Sequence, residues 1–139
     1  MKSYKIFKVI DGLLHFAEVE INCVEPSSEI QIIDLCNGEG WVRQGQIVEV
    51  PREGFDLWKS AATKGIQQAL SQIGKNYKVE LKSIFLLPTD TNTETVISAS
   101  KIAILKDLNY SLSEKEEELL IDSLKGSYKR EKEVTSDFT

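Results

Sequence analysis

The chain has 139 residues, 41% of them hydrophobic and 28% charged, with a formal net charge of −5. That length fits one domain with a sizeable core, and the excess of acid argues against binding nucleic acid by charge alone. No apolar run approaches the ~18 residues of a membrane span, and no uninterrupted apolar stretch follows the first lysines. A signal peptide is therefore not expected, and the expected location is the cytoplasm.

The N-terminus, MKSYKIFKVIDG, alternates lysine with apolar residues and predicts a strand through Tyr4, Ile6 and Val9. Asp11-Gly12 is a hairpin signal. From Leu13 to Val24 the period is two, with Ala17, Val19, Ile21 and Cys23 on one face and Glu18, Glu20 and Asn22 on the other, as in an antiparallel strand with one wet side. Glu25-Pro26-Ser27-Ser28 is a turn. Glu29 to Leu35 predicts a third strand, and Asn37-Gly38-Glu39-Gly40 is the strongest turn in the chain. Trp41 to Val50 reads as a further strand, interrupted at Gly45.

The longest periodic stretch is Leu57 to Ile73, LWKSAATKGIQQALSQI. Trp58, Ala61, Ala62, Gly65, Ile66, Ala69, Leu70 and Ile73 form one continuous helical stripe. Its width predicts that it covers a sheet rather than zips to one partner helix. Gly65 in mid-stripe, where helix propensity is about 1 kcal/mol worse than for alanine, predicts a close packing contact with that sheet. Asp56 is the expected N-cap and Gly74 the left-handed C-cap.

Tyr77 to Leu87 predicts the next strand, with Tyr77, Val79, Leu81 and Phe85 on one face. Thr91 and Glu94 have capping-box spacing ahead of a second helix from about Thr93 to Leu108, whose stripe is Val96, Ala99, Ser100, Ala103 and Ile104. Ser113 and Glu116 form another capping box before a short third helix carrying Leu119, Leu120 and Leu124, closed by Gly126. Residues 127–139, SYKREKEVTSDFT, are charged and unpatterned and predict a flexible tail. The expected organisation is a single α+β domain over residues 1–126, with two main helices on one face of an antiparallel-rich sheet.

Few residues point to chemistry. Cys23 and Cys36 have no metal or redox spacing, so structural roles are expected. His15 is the single histidine, and a histidine-based metal site there needs carboxylate or thiol help. Gly38-Glu39-Gly40 lacks the third glycine and the following helix of a phosphate loop. Glu18 and Glu20 share a strand face, where two carboxylates can hold a proton or a metal between them; a solvated sheet face is the plainer reading. No catalytic, cofactor-binding or metal-binding residue is expected. The candidate partner surface is Asn37, Glu39, Trp41 and Arg43, with Trp41 beside the glycine loop as an anchor.

A resemblance adds to this reading. Val50-Pro51-Arg52-Glu53, then Ala62, Gly65-Ile66 and Ala69-Leu70, then Tyr77, Val79, Leu81 and Lys82, then Thr93-Glu94, Ala99 and Ile102-Ala103 resemble the helix, strand and alanine-rich helix of domain IV of elongation factor G and related translational GTPases. The match spans residues 50–105. It implies a four-stranded sheet backed by two helices, with one left-handed βαβ crossover against the usual rule, followed here by the short C-terminal helix. No GxxxxGK[ST] motif is present, so the chain is not itself the GTPase. The family's Gly- and Arg-rich loop, which carries its contacts near the ribosomal decoding site, is echoed only faintly by Trp41–Gln46. The expected function is a non-enzymatic cytoplasmic module that binds a protein partner and not nucleic acid. The alternative is an acidic inhibitor or immunity-type protein that neutralises a toxin or enzyme.

Overall fold

A computed structural model describes residues 1–40, 46–110 and 112–136, with residues 132–136 by backbone alone. The chain runs β1 (Lys2–Ile10), β2 (Leu13–Pro26), β3 (Gln31–Asp34), β4 (Val48–Glu49), α1 (Asp56–Ile73), β5 (Tyr77–Leu86), α2 (Thr93–Asp107), α3 (Glu114–Asp122) and α4 (Ser127–Ser136). It is an α+β domain. The β1–β2 turn has both central residues at positive φ, Asp11 at 51° and Gly12 at 76°, as a two-residue hairpin of this twist requires.

The sheet order is β1-β2-β5-β3, with β4 also paired to β5. This makes five strands where four were expected. The reason is the length of β5. One of its edges takes β3 in parallel over Lys78–Leu81 and then β4 antiparallel at Phe85–Leu86, while β2 occupies the other edge. Of the strand expected over Trp41–Val50, Trp41–Gly45 lies outside the described residues, and among the described ones the regular part is Val48–Glu49.

The β2–β5 register pairs Glu20 with Ser83 but Ile21 with Leu81, so Lys82 is an extra residue, a β-bulge. The bulge resets the alternation of β5. Val79 and Leu81 before it, and Ile84 and Leu86 after it, all reach the core. Phe85 pairs with Glu18 and is turned to the opposite face. This corrects the expectation that Phe85 shares a face with Val79 and Leu81.

Ala17, Val19 and Ile21 of β2 form the core with those β5 residues and with the inner faces of α1 and α2. The small stripe of α1 does not meet the sheet at its middle. A Cβ on Gly65 would lie 2.8 Å from Ser100 Cβ and closer still to the Ile97 carbonyl oxygen, both on α2. Gly65 is thus the point where two helix backbones touch, and the expected sheet contact is corrected to a helix contact. Ser100 keeps its hydroxyl satisfied there by donating to the Val96 carbonyl at 2.8 Å.

The helix ends differ in part from expectation. Gly74 is left-handed at φ 68° as expected, whereas Asp56 lies inside the first turn of α1 and is not its cap. Asn92, not Thr91, caps α2 by accepting from Thr95 N at 2.9 Å. Thr91 instead ties loop to sheet, donating to Phe16 O at 2.7 Å and accepting from Leu87 N at 2.8 Å. Ser113 does cap α3, accepting from Glu116 N at 3.1 Å.

The segment read as a flexible tail is helical from Ser127 to Ser136 and fixed to the domain; residues 137–139 lie outside the described residues. Ser127 is buried and accepts from Asn92 Nδ2 at 2.6 Å. Tyr128 donates to Leu14 O at 2.7 Å, Glu131 accepts from Thr93 N at 3.0 Å, and Arg130 grips Glu94 through Nε and Nη2. These contacts carry no apolar period, so the sequence pattern does not show them.

Two outcomes are expected. Gly65→Ala should lower stability by about 1–3 kcal/mol through overpacking, in spite of about 1 kcal/mol gained in helix propensity; equal stability in urea unfolding would mean that the helices stand farther apart. Truncation after Gly126 should lower the melting temperature by more than about 5 °C, and an unchanged melting curve would show that α4 adds nothing to the fold.

Candidate functional site

β3 ends where the glycine-rich turn begins, and Asp34 anchors that end. Its carboxylate accepts from Cys36 N at 2.9 Å and pairs with Lys59 of α1 at 2.8 Å. Burial pushes the Asp34 carboxyl up, but the hydrogen bonds from Lys59 and Cys36 outweigh it and hold it below the ordinary value. Gly38 N donates to Val50 O at 3.0 Å and Gly40 N to Glu49 O at 2.9 Å, so the turn is stitched to β4 and the residue after it. A side chain at Gly38 would meet Glu49, with the carbonyl oxygen 2.6 Å from a Cβ. Gly40, at φ 73°, needs a conformation that favours glycine.

A cleft of about 470 Å3 opens between this turn and β5, lined by Asn37, Glu39, Gln46, Ile47, Glu49 and Phe85, among others. Asn37 and Glu39, expected from sequence as partner-surface residues, are exposed at this cleft. Trp41 and Arg43, expected with them, lie outside the described residues. Ile47, Glu49 and Phe85 were not foreseen. Phe85 comes here only because of the bulge at Lys82, and Ile47 carries no signal beyond being apolar.

The cleft sits at the margin of the sheet face that the helices leave open. Residues paired across strands share a face, which puts Lys5, Glu18, Phe85 and Glu49 in one row across this side. Phe7 and Phe16 form the next pair, with rings edge to face at 6.0 Å. Phe7 is 64% exposed, Val9 61% and Ile47 56%.

The chemistry-bearing residues do not converge. Glu18 and Glu20 lie half-buried on the open face, opposite Lys5 and Ser3 of β1. Among the described residues no group of three or more His, Cys, Asp or Glu could hold a metal ion. Cys23 and Cys36 are free thiols. Burial pushes each up to about 12, helped by the charge of Asp107 for Cys23 and of Asp34 for Cys36, so neither is a ready nucleophile. The amides of Gly38 and Gly40 are spent on β4 and Val50, which leaves them no aim at a phosphate. The lysines are divided: Lys59 and Lys64 ride on α1, above the covered face, while Lys78 alternates with buried Val79 and so faces the open side. Lys59 is held by Asp34 and Lys82 lies 3.8 Å from Glu80. No helix among the described residues is long and apolar enough to cross a membrane.

No protein-family model matches this chain, and no curated protein does. Among solved structures, it is similar in fold to a protein from Thermus thermophilus known from its crystal structure, with a TM-score of 0.56 and 17% sequence identity. The likeness covers 76% of this chain and 15% of that one. This chain therefore matches a small part of a much longer protein.

Gly38→Ala should pry the turn from β4 and open the cleft. The expected readout is faster amide exchange at Gly40 and a loss of about 1–3 kcal/mol in stability. Unchanged exchange at Gly40 would show that the turn has room to spare.

Proposed function

We propose that this chain is a non-enzymatic cytoplasmic binding module of the elongation factor G domain IV type, which engages a protein partner through the open face of its sheet. The observation that carries this reading is the two-sidedness of the sheet. α1 and α2 cover one face. The other carries exposed Phe7 and Val9 and ends at the Asn37–Glu49 cleft with exposed Ile47. Exposed apolar side chains rimmed by polar ones suit protein contact. The separation of the lysines between two sides of the sheet supports a protein over nucleic acid. The match of residues 50–105 to domain IV falls on α1, β5 and α2, the layer that shapes the sheet rather than the contact surface. The Thermus thermophilus likeness, to a piece of a longer chain, supports a domain-sized module.

The alternative, an acidic inhibitor of a basic toxin or enzyme, draws support from Glu39 and Glu49 at the cleft and from the net charge of −5. It uses the same surface and differs in the charge of the partner.

Labelled single-stranded RNA should bind more weakly than about 100 μM at physiological salt. A protein retained from native lysate by the wild-type chain should be lost with Phe7→Asp and Ile47→Asp, both checked for wild-type circular dichroism. Micromolar RNA binding that weakens steeply with salt, or retention unaffected by both substitutions, would overturn the reading. High salt releasing the partner would favour the acidic-inhibitor form.

A further inference from the structure

His15 occupies an unusual position. It is 1% exposed, and its Nδ1 has no hydrogen-bond partner among the described residues. Its ring packs against the ring of Tyr128 at 4.8 Å between centroids. Tyr128 belongs to α4 and donates to the carbonyl of Leu14, the residue before His15. The histidine therefore lies in the seam between the β1–β2 hairpin and the C-terminal helix.

We propose that α4 is an acid-released clasp: protonation of His15 frees α4 from the end of the β1–β2 hairpin and uncovers the Leu14–Phe16 strand.

The charges around the seam set the sign. From β1, Lys8 is the cross-strand partner of His15 and places a cation on the same side; it is drawn toward Asp122 of α3 at 3.4 Å. From the hairpin turn, Asp11 faces Lys125 at 3.6 Å. From the loop before α2, Asp90 lies near Tyr128, and its carbonyl accepts from Phe16 N. From α4, Glu131 accepts from Thr93 N, and Arg130 is bound to Glu94 of α2. Asp90, Asp122 and Glu131 favour a nearby cation, but none makes a hydrogen bond to the imidazole among the described residues. The second proton of an imidazolium would sit on Nδ1, which is buried and has no acceptor among the described residues. Burial accordingly lowers the His15 pKa from the ordinary 6.5. Tyr128, raised by burial to about 12, stays neutral throughout.

With α4 lifted, the imidazole is solvated and titrates near the ordinary value. The docked state binds fewer protons, so clasp stability is complete above about pH 6.5 and is lost as pH falls toward the lower value of the docked state. Each unit between the two values shifts the docking equilibrium by about tenfold.

Because His15 is the single histidine, its ring signal in an NMR titration needs no assignment. From about pH 8 to about pH 5, above the usual carboxylate range, the wild-type ring should titrate below 6.5. Exchange of the α4 amides, corrected for intrinsic rates, should accelerate as the ring titrates, by about tenfold for each unit that the docked midpoint lies below 6.5 within that range, while the β5 amides stay protected. His15→Phe should hold α4 docked across that range, with His15→Gln as a second neutral variant. A wild-type midpoint at or above about 6.5, α4 exchange that ignores the titration, or equal acceleration in a folded neutral variant would overturn the proposal. If neither variant folds, the wild-type midpoint and the α4 rates decide it.

Discussion

The contact between α1 and α2 at Gly65 is the constraint on which the rest of the structure depends. The absence of a Cβ lets the α1 backbone approach the Ile97 carbonyl of α2. The residues around the crossing are small for the same reason: Ala62 and Ala69 on α1, Ala99 and Ala103 on α2, all buried. Two helices held this close form one continuous layer. Larger residues on the same stripes, Ile66 and Leu70 on α1 and Val96 and Ile104 on α2, join the sheet core. Dispersion and burial then act on a closed surface with few gaps.

Local signals made much of this fold legible. The Asp11-Gly12 turn, the Gly74 cap, the Ser113 cap and the two small-centred helical stripes are set by residues within a few positions of one another. The partner of Gly65 was not legible, because a helical stripe records which side is buried and not what buries it. The bulge at Lys82 was hidden for a related reason. Ile84, Leu86 and Leu87 show that the end of β5 is apolar, but an extra residue in a ladder is defined by the partner strand, and β2 lies more than fifty positions away. α4 escaped notice because its docking is polar, through Ser127, Tyr128, Arg130 and Glu131, and hydrogen bonds leave no hydrophobic period in a sequence.

The same distinction explains the site. The exposure of Asn37 and Glu39 was legible because glycines flank them and turns carry exposed polar residues. Phe85 was read on the wrong face, and a single inserted residue is enough to cause that, since the strand period is two. Glu49 and Ile47 reach the cleft because β4 shares an edge of β5 with β3, a pairing that no local pattern specifies. The open face is thus built by long-range choices, while the covered face follows from residue type.

The N-terminal end of α2 shows how buried polar groups are managed in this chain. Thr91, Asn92, Thr95 and Ser127 are all buried, and each has a partner. Thr91 joins Leu87 to Phe16. Asn92 caps Thr95 and reaches Ser127, and Thr95 returns its hydroxyl to Asn92 at 2.6 Å. Such a network fixes the geometry because every member is satisfied. His15 lies beside it, one residue before the carbonyl that Thr91 bonds, and its Nδ1 is the buried side-chain nitrogen or oxygen left unpaired among the described residues. An unpaired neutral imidazole costs one lost hydrogen bond, about 1–3 kcal/mol, while an unpaired imidazolium costs considerably more. The seam therefore tolerates one protonation state and opposes the other. Because Tyr128 bonds the neighbouring Leu14 carbonyl, the element that bears that opposition is α4, whereas the Thr91 links hold the sheet end without it.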